Sequence, residues 1–388
     1  MKIAIVHDWF VTYVGSEKVV ERIISLFPDA DIFTLVDFLP ANDRNFLTGK
    51  QVNTSFIQHL PFAKKYYRQY LPLMPLAIEQ FDLSEYDLIL SSNHAVAKGV
   101  ITGPYQLHIS YVHSPMRYAW DLQHQYLTES GLDKGIMTWP TRWLLHQLRL
   151  WDYRASIGVD HFIANSEFIA QRIWKAYRRE AKVIYPPVQV EKFSFQPKKD
   201  SYYLAASRMV QYKKFDLIVE SFNQMPDKKL VVIGDGPDLK KIRKMAHKNI
   251  EILGFQPDEI LKKYMQNAKA FVFAALEDFG IILLEAQACG TPVIAYGRGG
   301  ALETIHGLEH FEPTGVLFEE QSVEAITKAI ITFEENEAQI SPRNCRLNAE
   351  RFSSERFCSE FTRFVENSRE QFCKDKLKYK YNNLDIMI

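Results

Sequence analysis

The sequence predicts an α/β protein built from two doubly wound domains. Three observations predict this class. The chain has 388 residues, more than one compact core usually holds, so two domains are expected. Short apolar runs alternate with helical periodicities, as in parallel strands that are buried on both faces. A stretch rich in prolines and charges, residues 185–200, interrupts this alternation once, after which the same pattern resumes.

Residues 1–188 are predicted to form the first domain. A helix is expected over 15–27, because Val19, Val20, Ile23 and Ile24 fall on one helical face. Short apolar runs predict strands at 2–7, 31–36, 86–92, 107–113, 160–166 and 181–187. Helices between such strands imply βαβ units and a parallel sheet.

Residues 189–352 are predicted to form the second domain. Apolar runs predict strands at 202–207, 229–234, 250–254, 270–275 and 292–296. Helices are expected near 214–224, 237–247, 257–267 and 280–288. The strand ends of the two domains are expected to face each other across a cleft, where α/β sheets bind ligands. Residues 353–388 are expected to form a C-terminal helix and a tail. Whether the helix returns to pack on the first domain stays open. The tail, residues 374–388, is expected to fray.

The composition excludes several classes of protein. Hydrophobic residues make up 47% and charged residues 24%, which is typical of a globular chain and not of a disordered one. Lys plus Arg equals Asp plus Glu at 47 each, so no overall basic field favours nucleic acid. The four cysteines form no CxxC pair, which fits a reducing, cytoplasmic compartment. No apolar run is long enough for a signal peptide or a membrane span.

The segment 275–296 carries two carboxylates, Glu277 and Glu285, in an otherwise apolar stretch. Glu277 is expected in the turn after a strand, and Glu285 in the first two turns of the following helix, within reach of a bound ribose. The amino end of that helix has unpaired N–H groups and a positive dipole end, which suit a phosphate. The alternative is that Glu277 caps the helix and Glu285 is a solvated surface residue.

Two cations follow the first strand of the second domain. Arg208 and Lys213 flank a loop at the same sheet edge, where they could neutralise a diphosphate leaving group without a metal. The alternative is a pair of surface cations. The glycine-rich turn 233–238 lacks the third glycine of a dinucleotide fingerprint, and a second such turn spans 297–305.

These motifs, in this order and spacing, resemble the nucleotide-sugar domain of retaining family 4 glycosyltransferases of the GT-B fold, which has two Rossmann-like domains. The E-x7-E segment extended by "ACGTPVIA" is the most specific part, and the resemblance covers nearly the whole chain. Segments 91–100, 111–121 and 164–173 resemble the O-antigen and exopolysaccharide mannosyltransferases that use GDP-mannose. The glycine-rich loop of the family appears as Val14-Gly15 where most members have paired glycines.

The resemblance implies a role for each candidate residue. Arg208 and Lys213 would contact the donor diphosphate, and Glu285 the ribose. Glu277 would lie beside the donor sugar. The remaining assignments are His113 near the reacting centre, Gly15 closing a loop over the phosphates, and the amides of Phe279, Gly280 and Ile281 on sugar or phosphate.

The histidines and a short acidic motif have structural alternatives. A lone strand-end histidine is usually structural, but the polar run after His113 favours a site. His7 and His94 are weaker candidates. The "DAD" motif at 29–31 is predicted to be a turn followed by a strand, and not a metal-binding DxD.

The expected activity is transfer of a hexose, mannose from GDP-mannose, to a growing glycan on a polyprenyl-type lipid carrier, with retention of configuration. This would belong to surface polysaccharide or lipopolysaccharide synthesis and would need no cofactor and no metal. Two alternatives stay open: a sugar-nucleotide epimerase of the same architecture and a non-catalytic scaffold that binds nucleotide sugars. Residues alone leave the base, the hexose, the acceptor and the linkage undetermined.

Two segments mix cations with aromatic residues. Residues 61–75 and, with less support, residues 138–156 are candidates for interfacial helices that touch anionic lipid at the inner face of the cytoplasmic membrane. The alternative for both is a core-facing stripe with a solvated opposite face.

Overall fold

The computed structural model describes residues 1–382 of the chain, with side chains through residue 375. The chain divides into two compact units. One comprises Met1–Tyr185 and the helical segment that begins at Phe357, and the other is Pro186–Arg356. Each unit is built on one parallel sheet, which confirms the expected α/β class with two doubly wound domains.

The first unit contains a seven-stranded sheet in the order β3-β2-β1-β4-β5-β6-β7, with every pairing parallel. Its strands are β1 Ile3–His7, β2 Asp31–Thr34, β3 Val52–Thr54, β4 Leu88–Asn93, β5 Leu107–Val112, β6 His161–Ala164 and β7 Ala181–Val183. The six predicted strands are all present. The sequence missed β3 because its three residues are half-buried and form no apolar run.

The helices of the first unit cover both faces of this sheet. They are α1 Gly15–Leu26, α2 Ala63–Tyr66, α3 Met74–Glu79, α4 Gln123–Glu129, α5 Thr138–Ile157 and α6 Glu167–Tyr177. Successive residues of β1 point into opposite cores, with Ala4 and Val6 on one side and Ile5 on the other. Burial on both faces explains why this strand is apolar throughout.

The second unit contains a six-stranded parallel sheet in the order β10-β9-β8-β11-β12-β13. Its strands are β8 Tyr202–Ala206, β9 Lys229–Ile233, β10 Ile250–Gly254, β11 Ala270–Phe273, β12 Val293–Tyr296 and β13 Gly315–Phe318. Five of them match the predicted runs. The sixth, β13, is a four-residue edge strand that the sequence did not predict as a strand.

The helices of the second unit include the four that the sequence predicts. The unit contains α7 Phe215–Asn223, α8 Leu239–Met245, α9 Asp258–Asn267, α10 Ile281–Ala288, α11 Ala301–Thr304, α12 Val323–Glu335 and α13 Pro342–Glu350. The end of α10 is a Schellman motif: Gly290, with φ +77°, donates to the carbonyl of Gln287, and Thr291 donates to that of Ala286. The left-handed conformation of Gly290 therefore terminates α10 directly after its C-cap residue, Cys289.

The last helix, α14 Ser354–Asn382, packs against the first sheet. Phe357, Phe361 and Val365 are buried in the same core as Val20 and Ile23 of α1. The helix includes the beginning of the segment that was expected to fray, and residues 383–388 lie outside the described part of the chain. Within residues 1–382, no helix combines the length and apolar character needed to cross a bilayer.

Each sheet has one point at which the strand order reverses. In the first unit it lies between β1 and β4, and in the second between β8 and β11. Loops leave the carboxyl ends of the two strands in opposite directions there and open a crevice, where doubly wound sheets bind ligands. The sequence-predicted site residues of each unit follow these strands or their neighbours.

Candidate functional site

An ion pair spans the switch point of the second sheet. Lys213 ends the short 3₁₀ turn Gln211–Lys213 after β8, and Glu277 lies in the turn after β11. The Nζ atom of Lys213 donates to Oε1 of Glu277, and the two side chains are only 12% and 19% exposed. The adjacency of β8 and β11 thus brings together two residues that are 64 positions apart in the sequence.

Aromatic rings surround the cation of this pair. The Nζ atom of Lys213 lies 5.1 Å from the ring centroid of Phe273 and 5.2 Å from that of Tyr212. Ring faces attract a cation and reduce its contact with water. The Lys213 ammonium is therefore fixed in place and only partly screened, which strengthens its attraction for an anion in the crevice.

Arg208 lies in the same loop and is exposed. Its carbonyl accepts a hydrogen bond from the amide of Val210. Within the described side chains, no carboxylate lies at ion-pair distance from the Arg208 guanidinium. The guanidinium is thus available to an anion that binds at this edge, unlike Lys213, which already has a carboxylate partner.

The amino end of α10 lies one turn beyond Glu277. Gly280 is its N-cap residue, with φ +89°, and as a glycine it has no side chain to cap the helix. The alternative that Glu277 caps α10 is therefore wrong, because its carboxylate is paired with Lys213. Phe279 and Gly280 are buried and Ile281 is half-buried. First-turn N–H groups and the helix dipole at this end favour an anion.

The glycine-rich turn after β12 holds the Glu277 turn from behind. The amide of Gly300 donates to the carbonyl of Glu277 at 2.9 Å. A Cβ atom at position 300 would lie 2.3 Å from Cα of Phe279, a distance that real contacts do not reach. Glycine at 300 is therefore required for the close approach of the two loops.

The turn 233–238 supports the loop that carries Arg208. A Cβ atom at Gly234 would lie 1.9 Å from the carbonyl oxygen of Ser207, and one at Gly236 would lie 2.3 Å from that of Met209. The amide of Met209 donates to the carbonyl of Asp235 at 2.9 Å. These glycines thus serve loop-to-loop packing, which accounts for a glycine-rich turn without a dinucleotide fingerprint.

Glu285 occupies the fifth position of α10 and is half-buried. It lies one helical turn before Cys289, whose thiol is buried. Burial raises the pKa of Cys289 to about 11, which the nearby Lys199 ammonium opposes and the Glu285 carboxylate supports. Cys289 is therefore a neutral core side chain, and Glu285 is the residue of this helix that can offer a charge to a ligand.

Asp8, which the sequence analysis did not single out, organises the switch point of the first sheet. It follows β1 and is fully buried. Its carboxylate accepts four backbone hydrogen bonds, of 2.6 to 2.9 Å, from the consecutive amides of His94, Ala95, Val96 and Ala97. A carboxylate with four donors fixes the turn after β4, and with it the position of the His94 ring.

A chain of polar contacts links Glu17 to His113 through His7 and Ser92. Glu17 Oε1 lies 3.5 Å from His7 Nε2. His7 Nδ1 lies 3.1 Å from Ser92 Oγ and 3.2 Å from the Ser92 carbonyl oxygen. Ser92 Oγ lies 2.8 Å from His113 Nε2. A carbonyl can only accept, so His7 Nδ1 carries a proton, and the Ser92 hydroxyl is left to donate to His113.

The electrostatics of the two ends agree with this proton arrangement. Burial would raise the pKa of Glu17, but the hydrogen bond and the charge of His7 outweigh it and lower that pKa, so Glu17 is a carboxylate. Burial, together with His94 and His7, lowers the pKa of His113 well below its usual value. His113 is thus a neutral ring that accepts at Nε2 and presents an N–H group at Nδ1.

The remaining candidates of the first unit have less defined surroundings. His94 Nδ1 lies 3.1 Å from Asp8 Oδ2, and burial lowers its pKa although Asp8 opposes the shift. Gly15 is the first residue of α1 and is half-buried. The "DAD" motif is a turn followed by β2, as predicted, and Asp31 accepts a hydrogen bond from the Tyr86 hydroxyl at 2.8 Å.

The structure therefore groups the predicted residues by unit. The first holds His113, with His7 and His94, and also Gly15, while the second holds Arg208, Lys213, Glu277, Phe279, Gly280, Ile281 and Glu285. Sequence reasoning missed Asp8, Glu17 and Ser92. The sequence did contain a signal for two of them: Asp8 is a carboxylate directly after a buried strand, and Glu17 is a carboxylate at the third position of a helix. Among the described residues, no group of three or more His, Cys, Asp and Glu side chains is placed to hold a metal ion.

Comparison with known proteins shows a family likeness in the second unit. Residues 189–352 match the family model described as Glycosyl transferases group 1. A GDP-mannose-dependent monoacylated alpha-(1-6)-phosphatidylinositol monomannoside mannosyltransferase of Corynebacterium glutamicum is 31% identical over 140 residues, which are 32% of this chain and 35% of that protein. A GDP-mannose-dependent alpha-(1-6)-phosphatidylinositol monomannoside mannosyltransferase of Mycobacterium tuberculosis is 27% identical over 46% of this chain and 53% of its own length. The chain thus matches about a third to a half of each relative.

Solved structures extend the likeness to almost the whole chain. Anabaena HepE in complex with UDP-glucose superposes with a TM-score of 0.67 at 18% identity, covering 95% of this chain and all of HepE. Sucrose-phosphate synthase from Thermosynechococcus elongatus superposes with a TM-score of 0.73 at 16% identity, covering 96% of this chain and all of that one. At these identities the likeness establishes the fold, and the chain has the GT-B fold.

Proposed function

We propose that this chain, whose residues 189–352 form a glycosyl transferase group 1 domain, is a retaining glycosyltransferase of family 4 that takes mannose from GDP-mannose. The acceptor in this proposal is a growing, lipid-linked glycan of a surface polysaccharide. Both mannosyltransferases described above carry GDP-mannose dependence in their names, and they match the chain over part of its length. That partial match supports GDP-mannose as the donor. The choice of acceptor rests on the sequence resemblance.

The observation that carries the proposal is the Lys213–Glu277 pair at the switch point of the second sheet. The loop of Lys213 also carries an exposed arginine, Arg208, and the turn of Glu277 leads into the amino end of α10. Two cations and a row of helix-end amides suit a diphosphate, and a carboxylate beside them suits a sugar that becomes positively charged.

The proposed transfer balances without a cofactor. The bond between the anomeric carbon and the diphosphate oxygen breaks, and its electron pair stays on GDP. The acceptor hydroxyl oxygen bonds to the same carbon, and its proton passes to the released diphosphate. Arg208, Lys213 and the amides of residues 279–281 stabilise the charge that develops on the leaving oxygen.

Within the first unit we assign His113 as a group that contacts substrate. The chain from Glu17 through His7 and Ser92 holds its ring in one tautomer, with the Nδ1 N–H group available as a hydrogen-bond donor. A neutral donor of this kind suits a sugar hydroxyl. The His113 ring would not act as a general base in this arrangement. Its Nδ1 atom already carries a proton, and its Nε2 atom accepts a hydrogen bond from Ser92.

Donor binding tests the proposal directly. We expect GDP-mannose and GDP to raise the melting temperature and UDP-glucose to raise it less, because a ligand that binds only the native state stabilises it. The measurement is made in excess EDTA and then with added magnesium or manganese, since the proposal is metal-independent. Stabilisation by UDP-glucose alone would overturn the assigned base, and stabilisation that needs a metal would overturn metal independence.

Turnover separates the transferase from its alternatives. A transferase releases GDP from GDP-mannose faster when a lipid-linked glycan acceptor is supplied. An epimerase would change the hexose without an acceptor, and a scaffold would bind without turnover. The relatives described above are transferases, and no feature of the site favours the epimerase.

A further inference from the structure

The long helix α5 of the first unit exposes apolar side chains at both ends of one face, with His146 between them. Trp139 and Trp143 are 80% and 64% exposed, and Ile157 at the other end is 68% exposed. Leu150 and Tyr153 lie on the same side, because steps of four, seven, three and four residues return to one face of an α-helix. The opposite face, formed by Leu145, Leu148, Asp152 and Ser156, is buried. The exposed stripe of residues 139–157 is therefore about 30 Å long at 1.5 Å per residue.

The exposed charges of α5 are cationic. Arg142 and Arg154 flank the stripe on its two sides, and both are exposed. The single carboxylate of the helix, Asp152, is fully buried and paired with Lys98. Arg154 is bound by Glu79 of α3 at 2.5 Å, whereas Arg142 lies beside the two tryptophans. The stripe thus combines apolar and aromatic side chains with positive charge.

A second cationic and apolar segment is joined to α5. Glu79, at the end of α3, accepts hydrogen bonds from the Trp151 indole and from Arg154 of α5. The chain that leads to it, residues 61–78, contains no acidic residue. Its exposed cationic, aromatic and leucine side chains are Phe62, Lys64, Lys65, Tyr66, Arg68, Leu73 and Leu76. The sequence favoured this segment over α5 as a lipid-binding element, but α2 is only one turn long and the longer exposed stripe is on α5.

We propose that the exposed stripe of α5, with Arg142 at its edge, binds the surface of an anionic lipid bilayer. The helix would lie in the plane of the interface with its tryptophans at the headgroup boundary. Cations beside an apolar stripe add attraction for anionic headgroups. This inference does not depend on the proposed transfer reaction.

Charge favours a bilayer over a second copy of the chain. Two copies packed stripe to stripe would bring the arginines of both helices together, and neither helix has an exposed carboxylate to pair with them. Like charges in an interface cost free energy. An anionic surface instead satisfies the cations and covers the apolar side chains together.

Vesicle sedimentation tests the inference. The full chain is mixed with vesicles of phosphatidylcholine alone or of phosphatidylcholine with phosphatidylglycerol. We expect binding to the anionic vesicles that weakens with salt, and little binding to the neutral ones. The variant Trp139→Ser/Trp143→Ser should bind at least about tenfold more weakly, because it removes two large apolar side chains that the bilayer would bury.

Two variants serve as controls for this test. Trp174→Ser removes an exposed tryptophan of the same unit that lies on α6, outside the stripe, and should bind like the unaltered chain. Arg142→Glu should reduce binding to anionic vesicles and leave the melting temperature unchanged. The proposal is overturned if the chain ignores anionic vesicles, or if the double tryptophan variant binds as well as the Trp174 control. A dimer in sedimentation velocity that the double variant abolishes would assign the stripe to a second copy instead.

Discussion

Lys213 and Arg208 differ in one respect that sets how each responds to mutation. Lys213 is already paired with Glu277, whereas Arg208 has no carboxylate partner among the described side chains. Removing Arg208 subtracts one attraction for a diphosphate. Removing Lys213 also leaves the Glu277 carboxylate partly buried and unpaired, where it repels the incoming anion.

We therefore expect both Arg208→Ala and Lys213→Ala to weaken GDP binding, Lys213→Ala by more. The loss should be about 1.5–3 kcal/mol for Arg208, as for a charge-assisted hydrogen bond. Titration calorimetry with GDP measures both. Lys248→Ala, which removes an exposed lysine of the same unit, is the matched control. Equal affinity for GDP in all variants would show that the diphosphate does not bind at this edge of the sheet.

Replacing Glu285 and replacing Glu277 should change different kinetic constants. In the proposed donor complex Glu285 binds ribose hydroxyls, whose bonding hardly changes during the reaction, so Glu285→Ala should mainly raise the KM for the donor, by about tenfold. Glu277 would face the sugar as positive charge develops, so Glu277→Ala should mainly lower kcat, by about 100-fold. Steady-state kinetics with melting curves distinguish these outcomes. If both variants lose only stability, the carboxylates are structural.

At the residue scale, the sequence identified positions but not partners. The turn position of Glu277 and the helical position of Glu285 were predicted from local pattern. The ion pair with Lys213 was not, because it depends on which strands are neighbours in the sheet. Asp8 was missed for the same reason: its four donors lie 86 to 89 residues away in the sequence.

At the scale of elements, loop packing behind the site depends on Gly300. Gly300 has a right-handed helical backbone conformation, with φ −62°, so alanine at this position causes no backbone strain. The clash of its Cβ atom with Phe279 is purely steric. We expect Gly300→Ala to destabilise the second unit by about 1–3 kcal/mol, as overpacking does, and to weaken GDP binding by moving the turn at 277–280.

Gly158→Ala is the matched control for this change. Gly158 has a similar backbone, with φ −74°, but the nearest atom to its Cβ position is 3.7 Å away. Its substitution should change neither the melting temperature by much nor the affinity for GDP. If Gly300→Ala behaves in the same way, the two loops are not coupled.

The two strands that the sequence missed, β3 and β13, both lie at a sheet edge. Long apolar strands such as β4 and β5 were predicted because both of their faces are buried. The strands β3 and β13 have three and four residues and each pairs on one side only, with the free hydrogen-bonding edge of a neighbouring strand.

On the scale of the whole molecule, stability should depend on pH through buried histidines of the first unit. Burial lowers the pKa of His108 to about 4, with a smaller effect from Lys98, and it lowers the pKa of His113 as well. Such a histidine binds its proton more readily in the unfolded chain. The free energy of unfolding should therefore fall as the pH drops from about 6.5 toward about 4, by about 1.4 kcal/mol per pH unit for each proton.

Tryptophan fluorescence can follow this transition in the first unit alone. All six tryptophans, Trp9, Trp120, Trp139, Trp143, Trp151 and Trp174, lie between residues 1 and 185. Urea unfolding at a series of pH values gives the slope, which should be smaller by about one proton in His108→Gln. An unchanged slope in that variant would mean that His108 does not contribute to the pH dependence.

The position of α14 has a consequence for the order in which the chain matures on the ribosome. The apolar surface of α1 is covered by Phe357, Phe361 and Val365, which are translated after everything else in the core that they complete. A nascent chain that has emerged as far as Arg356 already contains all of the second unit, a continuous stretch of 171 residues from Pro186 to Arg356, but only an incomplete first unit. The amino-terminal half is synthesised first and acquires its finished core last, so its uncovered surface is the part of the newborn protein most in need of a chaperone.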